Sequence, residues 1–132
     1  MIIKKNNLAP IYNFLNEIAL SGSASRARTK LSKDIYSAIE EIQEDEAKLA
    51  NENNGTIKDD GKISFDTPEG SASFLKAQGE LREEGAIFSE KTAEQFKKLY
   101  DALDNYDEKL SGANAEAYDN LLSSLEEDNE EK

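Results

Sequence analysis

A chain of 132 residues, 37% apolar and 33% charged, with a formal net charge of −12 and a mean hydropathy of −0.75, has room for one modest core under a heavily charged surface. It is too apolar to be read as a disordered coil. It contains neither cysteine nor histidine, which excludes a disulfide framework, a thiolate zinc site, a thiol nucleophile and every imidazole-based acid, base or ligand.

In chain order, Met1 to Ile3 reads as a short edge strand, and MIIKKNNLAP puts its lysines after the apolar residues, unlike a signal peptide. No run of about 18 apolar residues follows, so the expected location is the cytoplasm, with no membrane contact. Leu8, Ile11, Tyr12, Leu15, Ile18 and Ala19 recur at helical spacing and predict a helix over 8–20, with Asn7 as N-cap, Pro10 in the first turn and Gly22 closing the end. A second helix starts at Ser23 or Ser25 and carries Leu31, Ile35, Ala38, Ile42 and Leu49 to about Asn51–Asn54. Turn formers then surround two β-compatible runs, predicting a hairpin over 56–65 with a type I′ turn at Asp60-Gly61. Thr67-Pro68 pairs an N-cap with proline at the first helical position, ahead of a helix with Phe74, Leu75 and Leu81 on its apolar face. Ser89 can cap a fourth helix with a stripe of Ala93, Phe96, Leu99, Tyr100, Leu103 and Tyr106; Ser111-Gly112 breaks it, and Tyr118, Leu121, Leu122 and Leu125 mark a fifth. The expected fold is mainly α: an irregular bundle of about five helices with one small β-hairpin, one domain over 1–125 and a flexible acidic tail over 126–132.

Charge is segregated. Residues 1–33 hold six cations and one acid, a net of +5, leaving −17 on the other 99 residues. Arg26, Arg28, Lys30 and Lys33 cluster in the first turns of the second helix, where the helix macrodipole disfavours cations by about 0.3–1 kcal/mol each. Arg26, Lys30 and Lys33 share one face at i, i+4, i+7, with Arg28 pointing elsewhere. The expectation is that this face clips the helix to acids of the same chain, in the Asp101, Asp104, Asp107, Glu108 row or at the C-terminus; contact with a partner's carboxylates or phosphates is the functional alternative. Four cations in a chain of −12 are a poor base for binding nucleic acid directly.

Familiar chemistries fail on spacing. Aligning Gly61 with the glycine of a calcium-binding EF-hand loop puts Thr56, Lys58 and Thr67 where oxygen-rich ligands and a bidentate Glu are needed, and DEKLSGANAEAY puts Lys109 and Tyr118 at such positions. The acidic pairs Glu40-Glu41, Glu44-Asp45-Glu46 and Glu83-Glu84 could cleave a glycoside only within an aromatic-lined cleft, and the chain has no tryptophan. None of the seven glycines opens a phosphate-binding loop. No catalytic residue, metal or cofactor is expected. Dense carboxylates can, however, present charge much as a nucleic-acid backbone does and so attract a basic cleft. The candidate acidic contact is Glu40, Glu41, Glu44, Asp45, Glu83 and Glu84.

The stretch IYNFLNEIALSGSASRARTKL, the acidic helix with EDEAKLA, the turn with DDGKI and the C-terminal YDALDNYDEKLSGANAEAYDNLLSSLE together resemble the small phage and prophage proteins of Gram-positive bacteria grouped as domain of unknown function 1617. The resemblance covers most of the chain; SRARTKL and LSGANAEAYDNLL are its most specific parts. It implies a phage accessory protein without an assigned reaction and carries over no site residues. The expected function is a non-enzymatic, phage-encoded interaction protein that binds and inhibits a host protein, a defence or nucleic-acid-processing factor, through an acidic surface. The alternative is a structural or assembly accessory in phage morphogenesis or lysis, with homo-oligomerisation open in either case.

Overall fold

Four buried apolar residues at helical spacing, Leu8, Ile11, Phe14 and Leu15, draw the first helix onto the core, and the same logic repeats at Ala27, Leu31 and Ile35, at Phe96, Leu99 and Leu103, and at Ala117, Leu121 and Leu125. The computed structural model describes residues 1–131. In chain order it contains β1 (Ile2–Lys4), a 3-10 turn (Lys5–Asn7), α1 (Leu8–Glu17), α2 (Gly22–Glu52), β2 (Gly55–Ile57), β3 (Ile63–Phe65), α3 (Pro68–Glu83), β4 (Gly85–Ile87), α4 (Gln95–Asp104) and α5 (Gly112–Glu130). The fold is mainly α, with five helices and two small antiparallel ribbons among the described residues.

Helices α1, α2, α4 and α5 form a ring in which each packs on two neighbours: α1 on α2 and α5, α4 on α2 and α5. The β1–β4 ribbon, with Ile2 opposite Ile87 and Lys4 opposite Gly85, closes one side of this body and sends Ile3 and Phe88 into its core. The Met1 amine lies there too, donating to the Phe88 carbonyl at 3.0 Å and pairing with the Asp128 carboxylate at 3.1 Å. The remainder is an annexe. Hairpin β2–β3 packs on α2 and α3, where the Phe65 and Phe74 rings meet at a tilt of 40° with centroids 5.2 Å apart.

Several local expectations need correction. α1 stops at Glu17, because Ile18 is already extended (φ −81°, ψ 149°). α2 begins at Gly22 with Ser21 as N-cap and no side-chain cap, so neither Ser23 nor Ser25 has that role. The hairpin turn is not type I′, which needs positive φ at both central residues. Asp59 and Asp60 lack it, and the Gly61 amide returns to the Lys58 carbonyl at 2.9 Å with Gly61 at φ +83°. A turn closed by a left-handed glycine thus connects the strands. α3 starts as expected, Thr67 Oγ1 accepting from the Gly70 amide at 3.0 Å. Leu75, expected on its apolar face, is 61% exposed.

β4 was not foreseen, being a three-residue GAI segment with no alternation to read. α4 starts at Gln95 rather than after Ser89: Glu94 takes a left-handed conformation (φ +56°), and buried Gln95 accepts from the Lys91 amide at 2.6 Å while donating to the Ala27 carbonyl at 3.2 Å. Residues 126–130, expected as a free tail, continue α5, and Asp128 is buried at the N-terminal amine. Lys132, the end of that expected tail, lies outside the described residues. Among the described residues no helix is long and apolar enough to cross a membrane.

Candidate functional site

The basic cluster divides into one structural residue and three exterior ones. Nearly two turns into α2, Arg28 reaches back over the end of α1: its guanidinium donates to the carbonyls of Leu15 (3.0 Å) and Ile18 (2.6 Å) and to Ser25 Oγ (3.1 Å). The last carbonyls of a helix lack intrahelical donors and carry its negative dipole end, so a guanidinium there satisfies both needs. Arg28, expected to point elsewhere, is therefore the cation with the internal role. The expected clip of Arg26, Lys30 and Lys33 onto acids of the same chain does not form: among the described residues none of the three makes an ion pair. Arg26 and Lys33 are exposed and Lys30 is half-buried.

The six candidate acids do not make one surface. Glu83 and Glu84, at the end of α3, are neutralised by Lys4 at 3.1 Å and Lys5 at 2.7 Å. Glu40, Glu41 and Glu44 are exposed along α2 without an ion pair among the described residues, whereas half-buried Asp45 lines a groove between α2 and α3 with Glu52, Glu80 and Glu84. The acid that does hold α2 to α3 is Glu46, bound by Arg82 at 3.0 Å and by Gln78 Nε2 at 3.1 Å.

Two further surface features escaped the sequence. One is the outer face of the β1–β4 ribbon. Ile2 and Ile87, directly opposite in register, are 55% and 78% exposed. Directly opposed residues lie on the same face of a two-stranded ribbon, so they form a single apolar knob. A groove beside it is lined by Ile87 and Phe88 together with Asp34 and Glu41 of α2 and Lys91; the last pairs with Asp34 at 3.3 Å. The sequence signal was the pair of isoleucines at Ile2 and Ile87, unreadable without the β4 register. The other is a shallow groove of about 470 Å³ between α1 and α2, where Tyr12 and Tyr36 meet with ring centroids 5.7 Å apart, Ser32 Oγ donates to Asn16 Oδ1 at 3.2 Å, and Thr29 and Lys33 form the rim.

On the opposite side, α4 and α5 carry an acidic face. Burial, then Asp104 and Glu126, push the phenols of Tyr100 and Tyr118 above their ordinary value. Among the described residues no group of three or more acids could hold a metal ion.

Fold and surface together define a small, charge-segregated helical protein whose distinctive chemistry is on its outside. No family model matches the chain, nor does any curated protein or solved structure.

Proposed function

We propose that the protein is a non-enzymatic, phage-encoded interaction protein that binds and inhibits a host protein in the host cytoplasm, its target a defence or nucleic-acid-processing factor with a basic surface. The resemblance in the sequence supplies the phage origin. The observation that carries the binding mode is the apolar knob of Ile2 and Ile87 beside the acids of α2. Carboxylates steer a basic partner at the encounter, while a desolvated aliphatic anchor sets how long the complex lasts. The active contact in this reading is Glu41 with Ile2 and Ile87. Glu83 and Glu84, already paired with Lys4 and Lys5, contribute less.

The test is affinity capture from host lysate at low and high salt, comparing the native chain with an Ile87→Asp, Glu41→Lys variant. A host nuclease or defence protein retained by the native chain at low salt, and lost by the variant, supports the proposal. Identical retention by both overturns it. The alternative role, an assembly accessory in morphogenesis or lysis, is favoured by the way charge is laid out along α2, because that layout suits helix–helix association.

A further inference from the structure

The outer face of α2 has a pattern of its own. Arg26, Thr29, Lys33, Tyr36, Glu40 and Glu44 all lie within one narrow stripe at 100° per residue, and all are exposed. The stripe is basic at its N-terminal end, acidic at its C-terminal end, and centred on Tyr36, which is 50% exposed. None of its charged residues forms an ion pair among the described residues.

Within one helix this arrangement is unfavourable. Two pairs of neighbours at i, i+4 are alike in sign, Arg26 beside Lys30 and Glu40 beside Glu44, where opposite signs would stabilise, whereas Glu44 beside Lys48 at the C-terminal end is of opposite sign. Lys33 and Glu40 stand seven residues and about 10 Å apart along the axis, too far for one turn to join. The N-terminal turn of α2, which favours anions, contains no acid at all. The like-charge neighbours and the separation of Lys33 from Glu40 are both relieved if a second copy lies antiparallel across the stripe.

We infer that the exposed face of α2 is a self-complementary docking surface for a second copy of this chain, with a two-fold axis at Tyr36–Ser37. A two-fold interface sets residue i against j and j against i. With the axis there, Lys33 faces Glu40 of the second copy, since the two lie equally far from it on opposite sides. Lys30 faces Glu44 with an offset of about 1.5 Å, and Arg26, one turn further out, stands between that carboxylate and Lys48 of the second copy, so the central pairs carry the attraction. The two helix dipoles oppose one another. Tyr36, braced from behind by Tyr12 at 5.7 Å, fills the centre, with the small Ser37 beside it leaving room for the partner ring. This surface differs from the Ile2–Ile87 knob, and the inference stands whether or not a host partner exists.

One helix pair with a single aromatic at its centre buries less than the roughly 1,200 Å² of a standard stable interface, and its ion pairs are exposed. The association is therefore weak and salt-sensitive, with a Kd of roughly tens to hundreds of micromolar at low ionic strength. Sedimentation velocity of the full chain from about 10 µM to 1 mM, at about 50 mM and 500 mM salt, reads it directly. The native chain should show a reversible dimer at low salt that high salt disperses. Lys33→Glu and Glu40→Lys should each raise Kd about tenfold, because each places like charges at both ends of the interface. The double variant K33E/E40K should return Kd to within about threefold of native, and mixing the two single variants should give a heterodimer, since residues 33 and 40 then meet with opposite sign at both ends. Circular dichroism of each variant should match the native chain, since these substitutions are exposed. A chain that stays monomeric throughout, a dimer that neither single variant weakens, or a double variant no better than the singles would each overturn the inference.

Discussion

The four-helix body and the annexe of hairpin and α3 are built to different standards. In the body, α1, α2, α4 and α5 each contribute at least three fully buried apolar side chains to one continuous cluster. In the annexe the buried apolar residues are Phe74 and the end of α2 at Ala50, while Ile57 and Leu75 face solvent. Polar ties follow the same division. Arg28 and Gln95 join helices of the body through buried or half-buried hydrogen bonds, whereas α3 is held largely by the rim contacts of Glu46, Glu83 and Glu84, each worth at most about 1 kcal/mol. The body sets global stability; the annexe opens at lower free energy.

The largest expected effect comes from breaking the body. Phe96→Ala, at a fully buried position, should cost about 3–5 kcal/mol in urea denaturation, since both the transfer of the ring and the cavity left behind count against the fold. Loss of every probe in one transition marks the body as the cooperative unit. Next comes Arg28→Ala, which strips the end of α1 of its donor and should cost about 1.5–3 kcal/mol, the range for hydrogen bonds to a charged group. Arg28→Lys should recover only part of this, because one ammonium cannot reproduce the guanidinium fork over two carbonyls. Both substitutions should leave α2 self-association measurable wherever the chain is folded.

Phe74→Ala is the matching break in the annexe, and its effect should be smaller, roughly 1–2 kcal/mol on the global transition, because the cost is limited by the free energy at which the annexe opens alone. Hydrogen exchange separates the cases. Residues 55–83 should lose protection while α1, α4 and α5 keep theirs; uniform loss would show that body and annexe are one unit. Gly70 offers a second probe of the same seam, since a Cβ there would stand 2.5 Å from the Asn53 carbonyl oxygen and push α3 off the end of α2.

What could be read in the sequence follows the same line. The body declared itself through helical periodicity, and Leu31, Ile35, Phe96, Leu99, Leu103, Leu121 and Leu125 all sit where that spacing puts them. Thr67-Pro68 was equally clear, because a cap is a local interaction between near neighbours. The β1–β4 ribbon was hidden, since pairing residue 2 with residue 87 leaves no local pattern, and the Ile2–Ile87 knob was hidden with it. Gln95 and Asp128 were missed for a related reason: a polar residue looks exposed until a distant carbonyl or amine is found to need it. In the basic cluster the internal role falls on Arg28, the residue that helical spacing leaves off the shared face. Among the described residues the three cations that share a face make no ion pair, while Arg28 caps a neighbouring helix that ends three residues before the end expected from its spacing.

The smallest effect concerns the seam between α4 and α5. Tyr118 donates to the Leu103 carbonyl at 2.6 Å and sets its ring edge-on to Phe14. Since that carbonyl also accepts from the Tyr106 amide at 3.1 Å, Tyr118→Phe leaves it partly satisfied, and the cost at neutral pH should fall near the low end for a hydrogen bond, about 0.5–1 kcal/mol. The pH dependence is more telling. Burial first, then Asp104 and Glu126, raise the native phenol above its ordinary value, so between the unfolded pKa of about 10 and the higher native one the unfolded chain has released a proton that the folded chain retains. The stability this group contributes is complete below about pH 10 and is lost as pH climbs through the native value. The stability of Tyr118→Phe in urea denaturation across that range should therefore fall less steeply with pH than that of the native chain, with phenolate absorbance reporting one fewer tyrosine that titrates above the ordinary value. Equal slopes in the two proteins would assign the alkaline loss to Tyr100, whose phenol is raised by burial and by acids of the same face, and would place the tighter packing of this seam on the α4 side.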